Sequence, residues 1–225
     1  MSEEKRVLRW GGLAGVLSAI FLILTAITLF GFVPPAPADP TGLVMRYPDV
    51  RAAMAVGETF YLVGVISLVA FYLALYRALR GTSLAPALWG TGLSFLGLAV
   101  LAAEGAPRVA FSVISDLYHA PGATPQAQAT LALIWQTTQG IFNELDTAAV
   151  IFVAIGYILF GIAMLRNPAF GKRFGGVTIV LALAGLVGVF LLGINSILFA
   201  PFGLFVLIFL PILLGWKIYS LSRAA

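Results

Sequence analysis

The chain has 225 residues, of which 61% are hydrophobic and 10% charged. A soluble domain carries about 25% charged residues, so this chain has too little polar surface to cover a water-soluble core and lipid must be its solvent; the mean hydropathy of +1.04 agrees. The net charge of +4 is spread over short connections and forms no patch, which argues against nucleic acid as a partner, and without cysteine there are no disulfides and no thiolate metal or haem ligands.

The length predicts an all-α, polytopic membrane bundle, one domain with about six spans of roughly 20 residues. The first span is placed at about 10–33, after a polar start carrying Lys5, Arg6 and Arg9. Gly11, Gly15 and Ala19 recur every fourth residue, a small-residue face that lets another helix approach closely. Ala36-Pro37-Ala38 resembles a signal cleavage box, but the apolar run exceeds the about 7–15 residues of a signal core, so an uncleaved anchor is expected. From Pro34 to Pro48 the prolines predict a loop. The second span is placed at about 50–76, with Glu58 near its start and Arg77 and Arg80 at its end, and the third at about 84–103, followed by Glu104 and Pro107.

Residues 108–119 read as a short interfacial helix, with Ala110, Val113, Ile114, Leu117 and Tyr118 on one face and Arg108, Ser112, Ser115, Asp116 and His119 on the other. Thr124-Pro125 is a capped helix start, and no proline interrupts the chain from there to Arg166. A continuous helix of that length measures about 60 Å, twice the hydrocarbon thickness, so it projects or bends, with Gly140 the expected bend and 141–165 the fourth span. The fifth span is placed at about 174–194 and the sixth at about 198–219, kinked by Pro201 and Pro211. Trp10, Trp89, Trp135 and Trp216 fall near span ends, as interfacial anchors do.

Lys and Arg divide ten to three between alternate connections, which predicts both termini in the cytoplasm of a cell membrane. Measured from the basic ends, Glu58 precedes Arg80 by 22 positions, Glu144 precedes Arg166 by 22, Asn195 follows Arg173 by 22 and Glu104 follows Arg80 by 24. Each therefore lies about 33–36 Å above the inner face, near the outer boundary. A shift of 86 positions brings Glu58 onto Glu144 and Arg80 onto Arg166, the spacing of a parallel repeat.

Carboxylates beside a span are costly there and mark function by default. Glu58, Glu104, Glu144, Asp146 and Asn195 are the expected lining of an outward-facing acidic chamber, with Asn143 donating to a carboxylate. Two like charges close together would make that chamber responsive to protons or cations. The plainer readings are hydrated headgroup residues for Glu144 and Asp146, an ion pair of Glu58 with Arg46, Arg51 or Arg108, and a local Glu104–Arg108 pair. His119 is the only histidine and a weak metal candidate, since no ligand motif surrounds it. No cofactor is expected, and no nucleophile elbow or phosphate loop appears.

Arg9-Trp10-Gly11-Gly12 opening the first span, the acidic start of the second with its Leu75–Arg80 end, and Arg173–Gly176 entering the fifth resemble a family of bacterial multi-span membrane proteins, domain of unknown function 4386. The resemblance covers most of the chain and implies a six-span helical fold. It carries no activity and transfers no functional residue. Three functions are compatible with the reading. The first is small-solute or ion binding related to transport; the second is an outer-leaflet enzyme using a carboxylate base on a lipid-like substrate. The third is a non-catalytic assembly subunit, which the small-residue faces would serve. Lipid is the expected surrounding, a small solute or cation the expected ligand, and a homo-oligomer is compatible with those faces.

Overall fold

Asp39 and Thr124 each stand immediately before a proline, and each accepts a hydrogen bond from a backbone N–H three residues on, Gly42 at 2.6 Å and Ala127 at 3.2 Å. These caps satisfy donors that a helix start leaves open, and the proline that follows has no N–H to lose. They start the two longest helices of the computed structural model, which describes residues 2–35, 37, 39–192 and 205–224. The order is α1 (Glu3–Phe32), α2 (Pro40–Leu79), α3 (Leu84–Ala103), α4 (Gly105–Tyr118), α5 (Pro125–Leu165), α6 (Gly171–Leu192), a π-helical turn (Phe205–Phe209) and α7 (Leu210–Ala224). Among the described residues six stretches are long and apolar enough to cross a bilayer, α3 and α4 together making one of them. This is the architecture of a multi-pass helical membrane protein. Replacing Thr124 with alanine should cost about 1 kcal/mol by freeing the Ala127 N–H, seen as a lower unfolding midpoint that Thr124→Asp does not share.

The small residues of α1 are spent within the chain. Gly11 faces Ala70 and Ala74 of α2, and Gly12 faces Gly215 and Tyr219 of α7, where an added Cβ would stand 2.7 Å from the Gly215 carbonyl. The same device joins α3 to α5, where a Cβ on Gly90 would stand 3.0 Å from the Gly156 carbonyl, and α5 to α6, where one on Gly175 would stand 2.8 Å from the Gly161 carbonyl. Backbones that approach this closely gain dispersion contacts along the whole crossing, which is the main source of helix association in lipid.

One core, of Phe71, Tyr72, Leu75, Tyr157, Phe160 and Met164, fills the bundle toward the end that carries the chain termini. That end is tied by Arg77 to Glu4 at 3.3 Å and by the Asn167 side-chain amide donating to the Ala78 carbonyl at 3.1 Å. Tyr72 of α2 and Tyr157 of α5 meet in this core, their rings 5.6 Å apart. Both helices start on a capped proline and end at an arginine. The pairs that follow are not equivalent: the close glycine contact of α3 is with α5, and so is that of α6.

A second core lies at the opposite, distal end, where Val44, Tyr47 and Val50 of α2 meet Phe111, Ile114 and Tyr118 of α4 and Trp135 of α5. This core overturns three expectations. Residues 40–48 are helix, with Pro48 inside it, because Val44, Tyr47 and Val50 gain an apolar surface to bury that outweighs the lost hydrogen bond. Helix α4 buries Phe111, Ile114, Ser115 and Tyr118 between its neighbours and exposes Val109, Val113 and Leu117, so its buried face is turned from the one its amphipathic pattern suggested. Trp135 is a core residue, packed on Tyr47 and Phe111 with ring centroids 5.2 and 4.5 Å away, whereas Trp10, Trp89 and Trp216 are exposed. Helix α5 runs without interruption from Pro125 to Leu165, through Gly140. The π-helical turn precedes Pro211; Pro201 lies outside the described residues.

Candidate functional site

Three helices each bring one same-face pair to a common point below the distal core. Residues three or four apart share a helix face, and the pairs are Glu58 with Tyr61 on α2, Glu104 with Arg108 across the α3–α4 junction, and Phe142 with Asp146 on α5. The junction follows from local chemistry: Pro107 has no N–H to offer Ala103, so the helix is interrupted at Glu104 and restarts at Gly105.

Arg108 is the centre. Its Nη1 donates to Glu58 Oε1 at 3.3 Å, and its Nη2 lies 3.6 Å from Glu104 Oε2. Its guanidinium is sandwiched between the rings of Tyr61 and Phe142, 5.1 and 4.7 Å from their centroids, a placement that uses the planar cation as a lysine could not. The Tyr61 hydroxyl donates to Glu104 Oε2 at 3.3 Å. Asp146 stands in Coulomb range of both Glu104 and Arg108.

The electrostatics do not balance. Glu104 is 1% exposed, and its Oε1, like the Nε of Arg108, is buried without a hydrogen-bond partner among the described residues. One guanidinium faces the carboxylates of Glu58, Glu104 and Asp146. Burying charges costs several kcal/mol each, on the order of what a good pairing returns, so an excess of carboxylate in such a place is relieved either by a further positive charge or by a proton on one of the acids.

Beside Arg108 lies a cavity of about 520 Å³ between α2 and the α3–α4 pair. Arg51, Glu58, Thr59, Arg108 and Ser112 line one end, and Leu62, Val65 and Leu101 the other. Arg51 bridges the polar end to α4 by bonding Asp116 at 2.8 Å and the Ser112 hydroxyl. Toward the chain termini the cavity is closed by the core around Tyr72 and Tyr157, which are fully buried.

Of the residues singled out from the sequence, the structure brings Glu58, Glu104 and Asp146 together. Glu144, two positions from Asp146 and so about 200° round the helix, is exposed on another face. The Asn143 side chain accepts from Gln139 at 3.0 Å. His119 is exposed, with Nδ1 2.8 Å from the carbonyl of Ser115 in its own helix. Among the described residues no three His, Asp or Glu side chains gather closely enough to hold a metal ion. Asn195 lies outside the described residues. The ion pairs Arg108–Glu58 and Arg108–Glu104 are both present. The sequence marks Arg108 and Arg51 only as ion-pair partners, and Arg51 pairs with Asp116 instead of Glu58; Tyr61 and Phe142 are not singled out. The available signal was the paired spacing 58/61, 104/108 and 142/146.

No protein family, curated protein or solved structure matches this chain.

Proposed function

We propose that this protein binds a small cationic solute at the Arg108-centred acidic site, with its distal end facing outward and both termini in the cytoplasm. The orientation rests on the ten Lys and Arg of the terminal end and adjoining connections against three elsewhere. One observation carries the reading: three carboxylates, Glu104 buried and Glu58 and Asp146 partly so, surround the single guanidinium of Arg108, next to a cavity large enough for a ligand. Cavities of about 300–1,000 Å³ are the ordinary size of small-molecule sites. Glu58, which lines the cavity and is partly exposed at 28%, is the group that an incoming cation meets first. The aromatic faces of Tyr47 and Tyr61 in the same wall favour an organic cation.

The buried aromatic core below the cavity supports binding, as a receptor or as the outer station of a transport cycle, over an open pore. Titration of tetramethylammonium chloride into protein held in lipid nanodiscs tests the proposal. Saturable binding is expected, weakened about tenfold, or about 1.4 kcal/mol, by Glu58→Gln and unaltered by Glu144→Gln, since Glu144 lies on another face. Equal weakening by both substitutions would show a general surface-charge effect and end the site-specific reading.

A further inference from the structure

We infer that Glu104 and Asp146 form a proton-binding site, holding one proton between them at neutral pH and releasing it as the pH rises. This goes beyond the cation reading and does not depend on it, because the proton answers an imbalance among the protein's own side chains.

The groups that face the pair come from three elements. Helix α2 supplies Glu58 and Tyr61, the α3–α4 junction supplies Glu104 and Arg108, and α5 supplies Phe142 and Asp146. With every acid ionised, one guanidinium stands against three carboxylates. Glu58 takes the closer contact of Arg108, at 3.3 Å against 3.6 Å for Glu104. It also lines the cavity, where water can solvate its charge. Glu104 and Asp146 do not line that cavity, and Arg51, the other cation of this region, is engaged by Asp116. Two like charges in such surroundings repel strongly, and the pair keeps a proton rather than ionise twice.

The contacts of Glu104 fit a neutral acid better than an anion. A buried carboxylate is ordinarily held by short charge-assisted bonds. Glu104 Oε2 has only the Tyr61 hydroxyl at 3.3 Å and Arg108 Nη2 at 3.6 Å, and Oε1 has no partner among the described residues. A neutral carboxyl still accepts from Tyr61, and its unbonded half leaves no charge unsolvated. Asp146 reaches the same cation from α5, one turn on from Phe142, whose ring lies 4.7 Å from the guanidinium.

The proton decides which acid Arg108 serves. With the pair singly charged, the guanidinium stays nearer Glu58, as the two distances have it. A second charge on the pair draws it toward Glu104 and leaves Glu58 less neutralised at the cavity wall. The site thus turns a change of pH into a change of charge in the cavity.

The test is infrared difference spectroscopy of the full chain in ether-lipid nanodiscs, which contribute no ester carbonyl, as the pH is raised from neutral. The expected result is a protonated-carboxyl band that is present at neutral pH and lost on alkalinisation. Glu104→Gln and Asp146→Asn, both close in shape to the native side chains, should each move that loss to lower pH by at least about one unit, a tenfold change in proton affinity. Glu144→Gln, on another face of α5, should leave it in place. Unfolding midpoints give a second readout. The folded chain keeps a proton that the unfolded chain sheds, so the wild-type midpoint should fall as the pH rises through the same range, and should fall less in either amide variant. Absence of the band at neutral pH overturns the inference. So does a band whose pH of loss is unmoved by either amide substitution, or moved as far by Glu144→Gln. No tetramethylammonium is present in these samples, so the outcome is separate from that of the cation titration.

Discussion

Arg108→Leu is expected to destabilise the protein by about 3–5 kcal/mol, the cost of stranding buried charges by removing their partner. Leucine keeps an apolar body between Tyr61 and Phe142, so packing is lost only in part, whereas Glu58, Glu104 and Asp146 are left with no cation among them. The double variant Arg108→Leu with Glu104→Gln should recover part of that loss, because glutamine removes the most deeply buried of the carboxylates and keeps an acceptor for the Tyr61 hydroxyl. Arg108→Lys should fall between the wild type and the leucine variant, since an ammonium holds the charge but cannot stack as a plane between two rings. Unfolding midpoints in nanodiscs measure all of these. A leucine variant as stable as the wild type would mean that the three helices are not joined through this cation.

Gly156→Leu is expected to cost about 3 kcal/mol, at the upper end for overpacking a tight interior contact. A Cβ there would already stand 2.9 Å from the Gly90 carbonyl, and that neighbour is helix backbone that cannot swing aside. The α3–α5 crossing must widen, which moves α3 toward α2 and narrows the cavity between them. Gly92→Leu is the matched control: no atom lies within 4 Å of its added Cβ, so it should be close to neutral. The comparison separates a packing effect from the general cost or gain of leucine for glycine in a lipid-exposed helix.

The elements differ in how openly the chain declares them. Asp39-Pro40 and Thr124-Pro125 are alike as cap-and-proline starts, yet only the second was readable as one, because Pro48 eight residues further on argued against a helix. What overrides Pro48 is the burial of Val44, Tyr47 and Val50 against residues more than 60 positions away, a contact that no local pattern contains. Trp135 was misread for the same reason. Its distance from a span end resembles an interfacial anchor, and only the convergence of α2, α4 and α5 makes it a core residue. The acidic site was partly legible through depth. Counting from the basic ends placed Glu58, Glu104 and Glu144 at one height, but height does not specify azimuth, and Glu144 turns away where its near neighbour Asp146 turns in.

What the amino-acid order determined alone was the solvent, the all-helical class, six apolar crossings and the level at which costly side chains collect. Each of these depends on a running sum along the chain, of hydrophobicity, rise per residue or charge. Only the tertiary structure decided that α3 leans on α5 and away from α2, that the distal ends of α2 and α5 pack against α4, and that Arg108 stands between Glu58 and Glu104. Those outcomes depend on which helix faces meet, and in lipid that choice is made by backbone approach at glycines and by the pairing of buried charge, both properties of two segments at once.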